Sequence, residues 1–525
     1  MLFSLAACFD TSTRVVIMEK AANEEQYKEI EEEIKQQEDK KEEENQEEQS
    51  AVPEIKNNPT VQGMFYRNVI GADIEAFDED LLEIDKKADA MLKKIEDYPD
   101  KVSVTGKTYY LSNEGNDKND GLSISKSMKT YAALKGKLKS GDAVLFRRGD
   151  VFRGQIVLVS GVTYAAYGSG IKPRLYGSVD GTLGEWKETE TDGVYTYNKV
   201  TKYANIIFNN GEAIGRPVQS MSQITKKPLN VYFSGARVSV YSPDGNPEEV
   251  FKSIEIVEDY SLCTGSGGTY NVKMQNLCMM YTGVHFLGSL GITENLEIEG
   301  CIMGYCGGRD LYQGAKATSL GNAVEFWSQA INVNIHDNYF FQAYDAALTH
   351  QGPSGTVKAT GQTSTVNFTN IHYENNLLEY NTYDFEAFTC RSLSDQSKSP
   401  NGKFTYDDVY IKGNICRYTG WGWGSLDRPD KNVNTVFKYD AEGENDSNVH
   451  IKPLYIENNI FDRPRRSVLG ISSPEWNKAN MILKNNQFFV ASNARIIDGI
   501  TISGGYLTRI NKCFTASGNT FKQVD

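Results

Sequence analysis

Six short stretches decide the fold: Ile298-Glu-Gly-Cys301, Ile335-His-Asp-Asn338, Tyr373-Glu-Asn-Asn376, Ile411-Lys-Gly-Asn414, Ile456-Glu-Asn-Asn459 and Leu483-Lys-Asn-Asn486. Each is an apolar residue, two variable positions and, in five of the six, Asn. Most are followed at once by another apolar residue. Their last residues lie 37, 38, 38, 45 and 27 residues apart. Self-similarity at such a period marks a solenoid. In a parallel β-helix each coil stacks on the next at the interstrand spacing of about 4.8 Å. Equivalent side chains then form ladders. Asn suits a turn because it tolerates left-handed backbone geometry, and stacked amides hydrogen-bond along the ladder. The uneven intervals imply coils with inserted loops. A propeller would need four antiparallel strands per blade of about 40–45 residues, and hairpin turn signals are rare here. The expected class is all-β, a right-handed parallel β-helix with inserted loops and a short N-terminal helix.

The composition agrees. Of 525 residues, 46 are Gly and 30 Tyr while only 14 are Pro, a mixture suited to short strands and tight turns. Hydrophobic residues make up 39% of the chain and charged ones 24%, enough for a sizeable core. The formal charge of −14 is concentrated in residues 24–49, whose thirteen acidic and four basic side chains leave a net of only −5 elsewhere. With no basic stripe to release counterions, nucleic-acid binding is excluded as an expectation. The eight cysteines form no CxxC pair and no two of the five histidines are spaced i, i+4, so buried free thiols are expected and no metal site. No stretch of about 18 apolar residues is present to span a membrane.

Four segments follow. Leu5-Ala6-Ala7-Cys8 resembles a bacterial lipobox, in which the Cys is lipidated after cleavage, and Met1–Ser4 resembles the end of an apolar signal region. Residues 1–8 are therefore expected to be a signal-peptide remnant with lipidation at Cys8. Residues 9–60 are expected to be an acidic, disordered tether, since Glu24–Gln49 cannot bury a core. Residues 61–100 are expected to be a helical segment, with Leu81, Ile84, Ala88, Met91 and Ile95 at helical spacing and a stop at Tyr98-Pro99-Asp100. Residues 101–525 are expected to be the β-helix. The expected location is exported, as a cell-surface lipoprotein or extracellular, touching membrane only through its lipid anchor, and monomeric.

Tyr109-Tyr110-Leu-Ser-Asn-Glu-Gly-Asn-Asp-Lys-Asn-Asp-Gly121 and Lys139-Ser-Gly-Asp142-Ala-Val-Leu-Phe146-Arg-Arg-Gly-Asp150-Val-Phe-Arg-Gly154 resemble the N-terminal coils of bacterial β-helix proteins of the pectate-lyase-like superfamily. Gly321-Asn322-Ala-Val-Glu325-Phe-Trp327 and Tyr344-Asp345-Ala-Ala-Leu-Thr-His350 are similar to segments of the same proteins. The resemblance spans residues 108–525 and implies the fold. It leaves the reaction open, because the superfamily holds lyases, hydrolases, epimerases and non-catalytic adhesins.

One strand per coil is expected to carry the chemistry: Asn322–Trp327, Asp345–His350, Tyr383–Phe388 and Trp421–Ser425. Insertions near 309–320, 351–368, 391–406 and 426–448 adjoin them and suggest groove walls. These strands hold Glu325, Asp345, His350, Asp384 and Glu386. Carboxylates on adjacent coils would stand about 5 Å apart, the separation retaining glycosidases use, and such crowding raises one pKa as a general acid requires. Asp345 and Glu386 form the first expected pair, with Glu325 and Asp384 in reserve and His350 as an orienting or hydrogen-bonding partner. Trp327, Trp421 and Trp423 are expected to pack on sugar rings, both indoles of Trp421-Gly422-Trp423 pointing the same way. Arg428 is expected to bind substrate.

The expected partner is a polysaccharide or oligosaccharide, and the expected activity glycoside hydrolysis with no cofactor. A polysaccharide lyase acting on a uronate-containing glycan is the first alternative. For it Arg309, Arg391, Arg428 or Lys431 would supply the base, or calcium held by the acids would neutralise the uronate. A non-catalytic glycan-binding or adhesive β-helix is the second.

Overall fold

The computed structural model describes residues 70, 73–75, 80–198, 203–265, 267–289, 291–310, 319–327, 329–351, 365–389, 403–427, 434–441, 449–471, 481–491, 494–498 and 514–524. Successive coils stack into three sheets in which every described pairing is parallel. Sheet I has twelve strands, from Thr108–Leu111 to Phe514–Ser517. Sheet II has eleven and runs from Val151–Arg153 through Thr520–Val524 to Asp73–Glu75. Sheet III has nine, from Ile156–Leu158 to Arg495–Asp498. In each full coil the chain passes along sheet III, then sheet I, rounds the Asn turn into sheet II, and returns. This is the expected right-handed parallel β-helix, its hand that of nearly all parallel crossovers. Strand alternation sends every second residue inward. Sheet I thus contributes Leu296 and Ile298, Val333 and Ile335, Ile371 and Tyr373, Val409 and Ile411 in matching register to one continuous core.

The Asn turns divide their work between two residues. The residue before the ladder Asn takes the left-handed conformation: Asp337, Asn375, Gly413, Asn458, Asn485 and Gly518 all have φ between 53° and 66°. The ladder Asn itself turns inward. Asn338, Asn376, Asn414, Asn459, Asn486 and Asn519 are wholly buried. Each Asn from 338 to 486 donates its backbone N–H (2.9–3.0 Å) and its Nδ2 (3.0–3.1 Å) to the Oδ1 of the next. Nδ2 also donates to a carbonyl of the preceding coil, as from Asn414 to Tyr373 at 2.8 Å. The ladder begins where the Cys301 N–H donates to Asn338 Oδ1 and ends where Asn519 Nδ2 donates to the Ile70 carbonyl. A second, exposed ladder of left-handed asparagines, Asn271, Asn295, Asn332 and Asn370, runs along sheet I, joined by side-chain bonds of 2.8–2.9 Å.

Two features depart from an uninterrupted solenoid. Residues 178–257 leave it to form two small, mainly antiparallel sheets around a separate core of Trp186, Tyr197, Ile206, Phe208, Val231, Val238, Val240, Ile254 and Ile256. This insert rests on sheet II, where Ala204, Ile207 and Val257 cover Tyr281. Short strands bounded by turn residues read alike in parallel and antiparallel settings, so the expected single solenoid over 101–525 did not separate it. The second feature is N-terminal. The helix α1, Asp80–Glu96, is shorter than the expected segment, because Asp73–Glu75 forms a strand that pairs with Thr520–Lys522 and extends sheet II past the last coil. α1 then runs back across sheet II. Ile84 meets Phe489 and Val524, and Ala88 and Ile95 meet Leu377 and Ile415. Arg417 ties the helix down through Asp85 while also pairing with Glu379 (3.0 Å) and Asp462 (3.3 Å). The described cysteines, Cys263, Cys278, Cys301, Cys306 and Cys416, are free thiols, all but half-buried Cys278 fully buried.

Asn414→Ala removes the acceptor of two donors and strands two further acceptors in the core. At about 1–3 kcal/mol for each unmade buried bond, it should lower stability by about 3 kcal/mol or more. Asn370→Gly, exposed and compatible with positive φ, should stay within about 1 kcal/mol. Denaturant and thermal unfolding of both variants check this.

Candidate active site

One column of sheet III faces away from the core. Register places Val157, Thr264, Gly288, Glu325, Thr349, Glu386, Lys438 and Gly470 in line on successive coils. The columns on either side point inward: Leu287, Val324, Leu348, Phe385 and Phe437 on one, Phe326, Ala387 and Tyr439 on the other. Val157, 45% exposed, marks the outward side. Four consecutive coils of this column carry Glu, Thr, Glu and Lys. Glu325 and Glu386 are nonetheless buried, so their charges need compensation on the spot.

Compensation is local. Lys438 Nζ lies 2.5 Å from Glu386 Oε1 and 4.9 Å from the centre of the Tyr383 ring. Thr349 Oγ1 donates to Glu386 Oε2 at 3.1 Å. At the other end, His285 Nε2 sits 2.5 Å from Glu325 Oε2, and its Nδ1 is 3.2 Å from the Asn322 carbonyl oxygen. The imidazole occupies the outward face because residue 288 is glycine. A Cβ there would fall 2.9 Å from His285 Cδ2. Burial pulls the His285 imidazole down, while Glu325, the Asn322 carbonyl and Asp345 pull it up, and the net displacement is upward. The result is a row, His285, Glu325, Thr349, Glu386, Lys438, in which two carboxylates flank a hydroxyl and each has a basic group on its outer side. Its two carboxylates stand two rungs apart, about 9.6 Å at the strand spacing.

The expected pair Asp345–Glu386 is corrected by register. Ala346 pairs with Tyr383, so Asp345 falls opposite Thr382, four residues before Glu386. At about 3.3 Å per residue that offset is about 13 Å along the strand. Glu386 faces Thr349 instead. Asp345 lies half-buried at the corner of sheets II and III, close enough to bias His285. Asp384 is inside that corner, not on the outward row. Thr419 Oγ1 donates to it at 2.5 Å and Asn381 Nδ2 at 2.9 Å, and burial pushes its carboxyl up to about 7. His350 is in the core. Its Nε2 is 2.5 Å from the Tyr406 hydroxyl, its Nδ1 3.3 Å from that of Tyr373, and burial pushes it down to about 3. It is a neutral core histidine.

The indoles also part company. Trp421–Ser425 is not a sheet III strand. A one-turn helix, Trp423–Asp427, lies there in the link from sheet II, and Thr435–Ala441 is the strand of that coil. Trp423 is buried, its Nε1 donating to the Gln342 carbonyl at 2.7 Å and its ring set edgewise on Tyr344 at 4.8 Å. Trp421 is 51% exposed, with the Arg465 guanidinium 5.3 Å from its ring. Trp327 is half-buried just beyond the Val324–Phe326 strand. Arg309 is paired with Asp259 at 2.9 Å. Arg428, Arg391, Lys431 and Cys8 lie outside the described residues.

His285, Thr349 and Lys438 were not singled out from the sequence. A partial signal existed. Thr349 and Glu386 follow their ladder Asn by eleven and ten residues, whereas Glu325 and Lys438 each lie 24 beyond Cys301 and Asn414. Longer links from sheet II to sheet III hide the common position.

Among the described residues one cluster brings three metal-ligating groups within 4.8 Å, Glu297, Glu299 and His336 on the outer face of sheet I. Lys273 already bridges both carboxylates at 3.0 and 2.5 Å, and the Tyr98 hydroxyl donates to Glu299 at 2.6 Å. An ammonium thus fills the place of a cation.

No known family model matches the chain, and no curated protein does. Among solved structures it is similar to XylC in complex with xylose, at 10% identity over 79% of this chain and 70% of that one, with a TM-score of 0.43. It is also similar to a rhamnogalacturonan lyase, at 12% identity over 74% of this chain and 75% of that one (TM-score 0.38). A third is the GH136 lacto-N-biosidase from Eubacterium ramulus, at 13% identity over 80% of this chain and 68% of that one (TM-score 0.36).

His350 supplies a pH test of its assignment to the core. Its folded pKa lies below the unfolded value, so between about 6.5 and 3 the unfolded chain binds a proton the folded chain does not, and stability falls on acidification. His350→Phe should cost about 1–3 kcal/mol at pH 7, where two tyrosine hydroxyls lose their partner. The gap to wild type should narrow steadily towards pH 4. Unfolding curves across that range measure it, and a constant gap would contradict a buried neutral imidazole.

Proposed function

We propose that the protein is a glycoside hydrolase acting on a polysaccharide, with Glu325 and Glu386 as its two carboxylates. The observation that carries this is their common outward column, two coils apart with Thr349 between them. Hydrolysis with inversion needs a carboxyl on each side of the scissile bond and room for a water, a separation of roughly 6.5–9.5 Å. Two rungs supply about that distance; adjacent rungs, about 4.8 Å apart, do not. The partly exposed Trp421 ring offers an apolar face of the kind that packs on a sugar.

Incubation with a panel of neutral and acidic polysaccharides should yield new reducing ends. Glu325→Gln and Glu386→Gln should each lower that release by about 100-fold or more with unchanged melting temperature, whereas Asp384→Asn should act on stability rather than turnover. Full activity in both glutamine variants would refute the assignment.

Lys438 favours a second reading. It stands on the same column, and its ammonium is a cation suited to neutralise a uronate carboxylate during β-elimination. A lyase would generate an unsaturated product absorbing in the ultraviolet with no incorporated water, which the same incubations detect. A binding-only protein would retain glycan and yield neither product.

The chain is further proposed to be exported and lipidated at Cys8, with residues 9–60 as a spacer. Expression in a bacterial host should place it in the membrane fraction with a diacylglyceryl group on Cys8 by mass spectrometry. Cys8→Ser should release it, and an unmodified Cys8 would remove the anchor.

A further inference from the structure

We infer that the two carboxylates have fixed and different roles: Glu386 is the base that activates water, and the Glu325–His285 pair holds the proton delivered to the leaving oxygen. This rests on the hydrolase reading and assigns what that reading leaves open. The argument begins with donors and acceptors. Both oxygens of Glu386 are engaged by donors, Oε1 by the Lys438 ammonium at 2.5 Å and Oε2 by the Thr349 hydroxyl at 3.1 Å. A proton on Oε1 would set donor against donor with the lysine ammonium, whereas at Oε2 the Thr349 hydroxyl can donate or accept. Lysine also remains charged throughout the neutral range. Glu386 is thereby kept an ionised acceptor, as a base must be.

The other end of the row is built in the opposite sense. Both His285 nitrogens face acceptors, Nδ1 the Asn322 carbonyl and Nε2 the Glu325 carboxylate. Both contacts are satisfied by the doubly protonated ring beside an ionised Glu325, or by the Nδ1–H ring beside a protonated Glu325, so the pair holds one proton between Nε2 and Oε2. The charged groups facing it are Glu325 and Asp345, both acidic. The cation beside Glu325 is therefore an imidazolium, which holds its proton less tightly than the lysine ammonium beside Glu386. Asn322 fixes what happens next. Once the Nε2 proton has left, the ring keeps Nδ1–H on the carbonyl and presents a bare Nε2 to Glu325, ready to be recharged. Gly288 is part of the device, since any side chain there would displace the imidazole.

The step balances as follows. The Nε2 proton passes to Glu325 and from it to the glycosidic oxygen. The bond from that oxygen to the anomeric carbon breaks, and the leaving oxygen keeps the electron pair. A water oxygen bonds to the anomeric carbon and its proton goes to Glu386 Oε2, where the Thr349 hydroxyl turns from donor to acceptor. Exchange with solvent then returns a proton to His285 and takes one from Glu386. His285 acts through Glu325 and is a positioning and proton-supplying residue.

Dependence on the leaving group separates the two roles. The probes are the polysaccharide that the wild-type protein cleaves and the 2,4-dinitrophenyl glycoside of the sugar it releases, whose phenolate leaves without a proton. Expected for His285→Gln and Glu325→Gln is a loss of about 100-fold or more on the polysaccharide and a change of less than about threefold on the aryl glycoside. His285→Gln should also move the alkaline limb of the kcat/KM profile to lower pH. Glu386→Gln should lose both substrates alike. Retained turnover of the aryl glycoside shows that a variant is folded, and Glu325→Gln, nearly isosteric, decides the matter should His285→Gln not fold. Equal loss on both substrates in Glu325→Gln, or a Glu386→Gln enzyme that still cleaves the aryl glycoside, would overturn the assignment. Absence of reducing ends from the wild-type protein would instead overturn the hydrolase reading itself.

Discussion

The bond from one buried asparagine to the next is the constraint on which the rest of the structure depends. A coil that turns from sheet I into sheet II must bury backbone and amide groups at the corner, and a buried polar group without a partner is costly. Asn338 to Asn519 meet that demand coil by coil, each amide accepting from the coil before and donating to the coil after. Because the bonds run along the axis, they also hold one coil in register with the next. A slip by one residue would expose the core columns and bury the outward ones. The row of acidic and basic groups on sheet III is a consequence of that registration, made on a different face.

The ends of the ladder show the same economy. Cys301 takes the place of the first Asn, its backbone N–H donating to Asn338 Oδ1 and its thiol to the Glu299 carbonyl at 3.4 Å. The last amide, Asn519, finds no following coil and bonds to Ile70 of the N-terminal segment, which also lays the strand Asp73–Glu75 beside the final coil. An open parallel edge is thus covered by the chain's own start. α1 then carries the chain back across sheet II to the first coils, where Tyr98 and Lys101 bond to Glu299 and Gln275. The beginning and end of the solenoid are tied together through this strap.

Burial is what distinguishes the acidic and imidazole groups of neighbouring sequence. Asp384 and Glu386 are two residues apart, yet the corner between sheets turns Asp384 inward to Thr419 and Asn381 while Glu386 faces Lys438. His350 and His285 both sit beside sheet III. The former is held neutral between tyrosines in the core, and the latter is drawn towards its charged form by an adjacent carboxylate. His350 leaves the strand Ala346–Gln351 on its core side, whereas His285, just before the strand Leu287–Ser289, lies over the outward side of Gly288.

By itself the sequence determined the solenoid, because an apolar residue and an Asn recurring once per coil have few other structures in which all can be satisfied. It also determined α1, whose apolar stripe has a helical period, and it included Glu325 and Glu386 among the carboxylates worth weighing. Tertiary structure alone decided which of them meet. Side-chain neighbours on a β-helix are set by the length of every intervening loop, and links as unequal as those before Glu325 and Lys438 erase the period that would reveal them. The insert at 178–257, the inward turn of His350 and Asp384, and the place Gly288 leaves for His285 are likewise facts of register and packing, which no local pattern encodes.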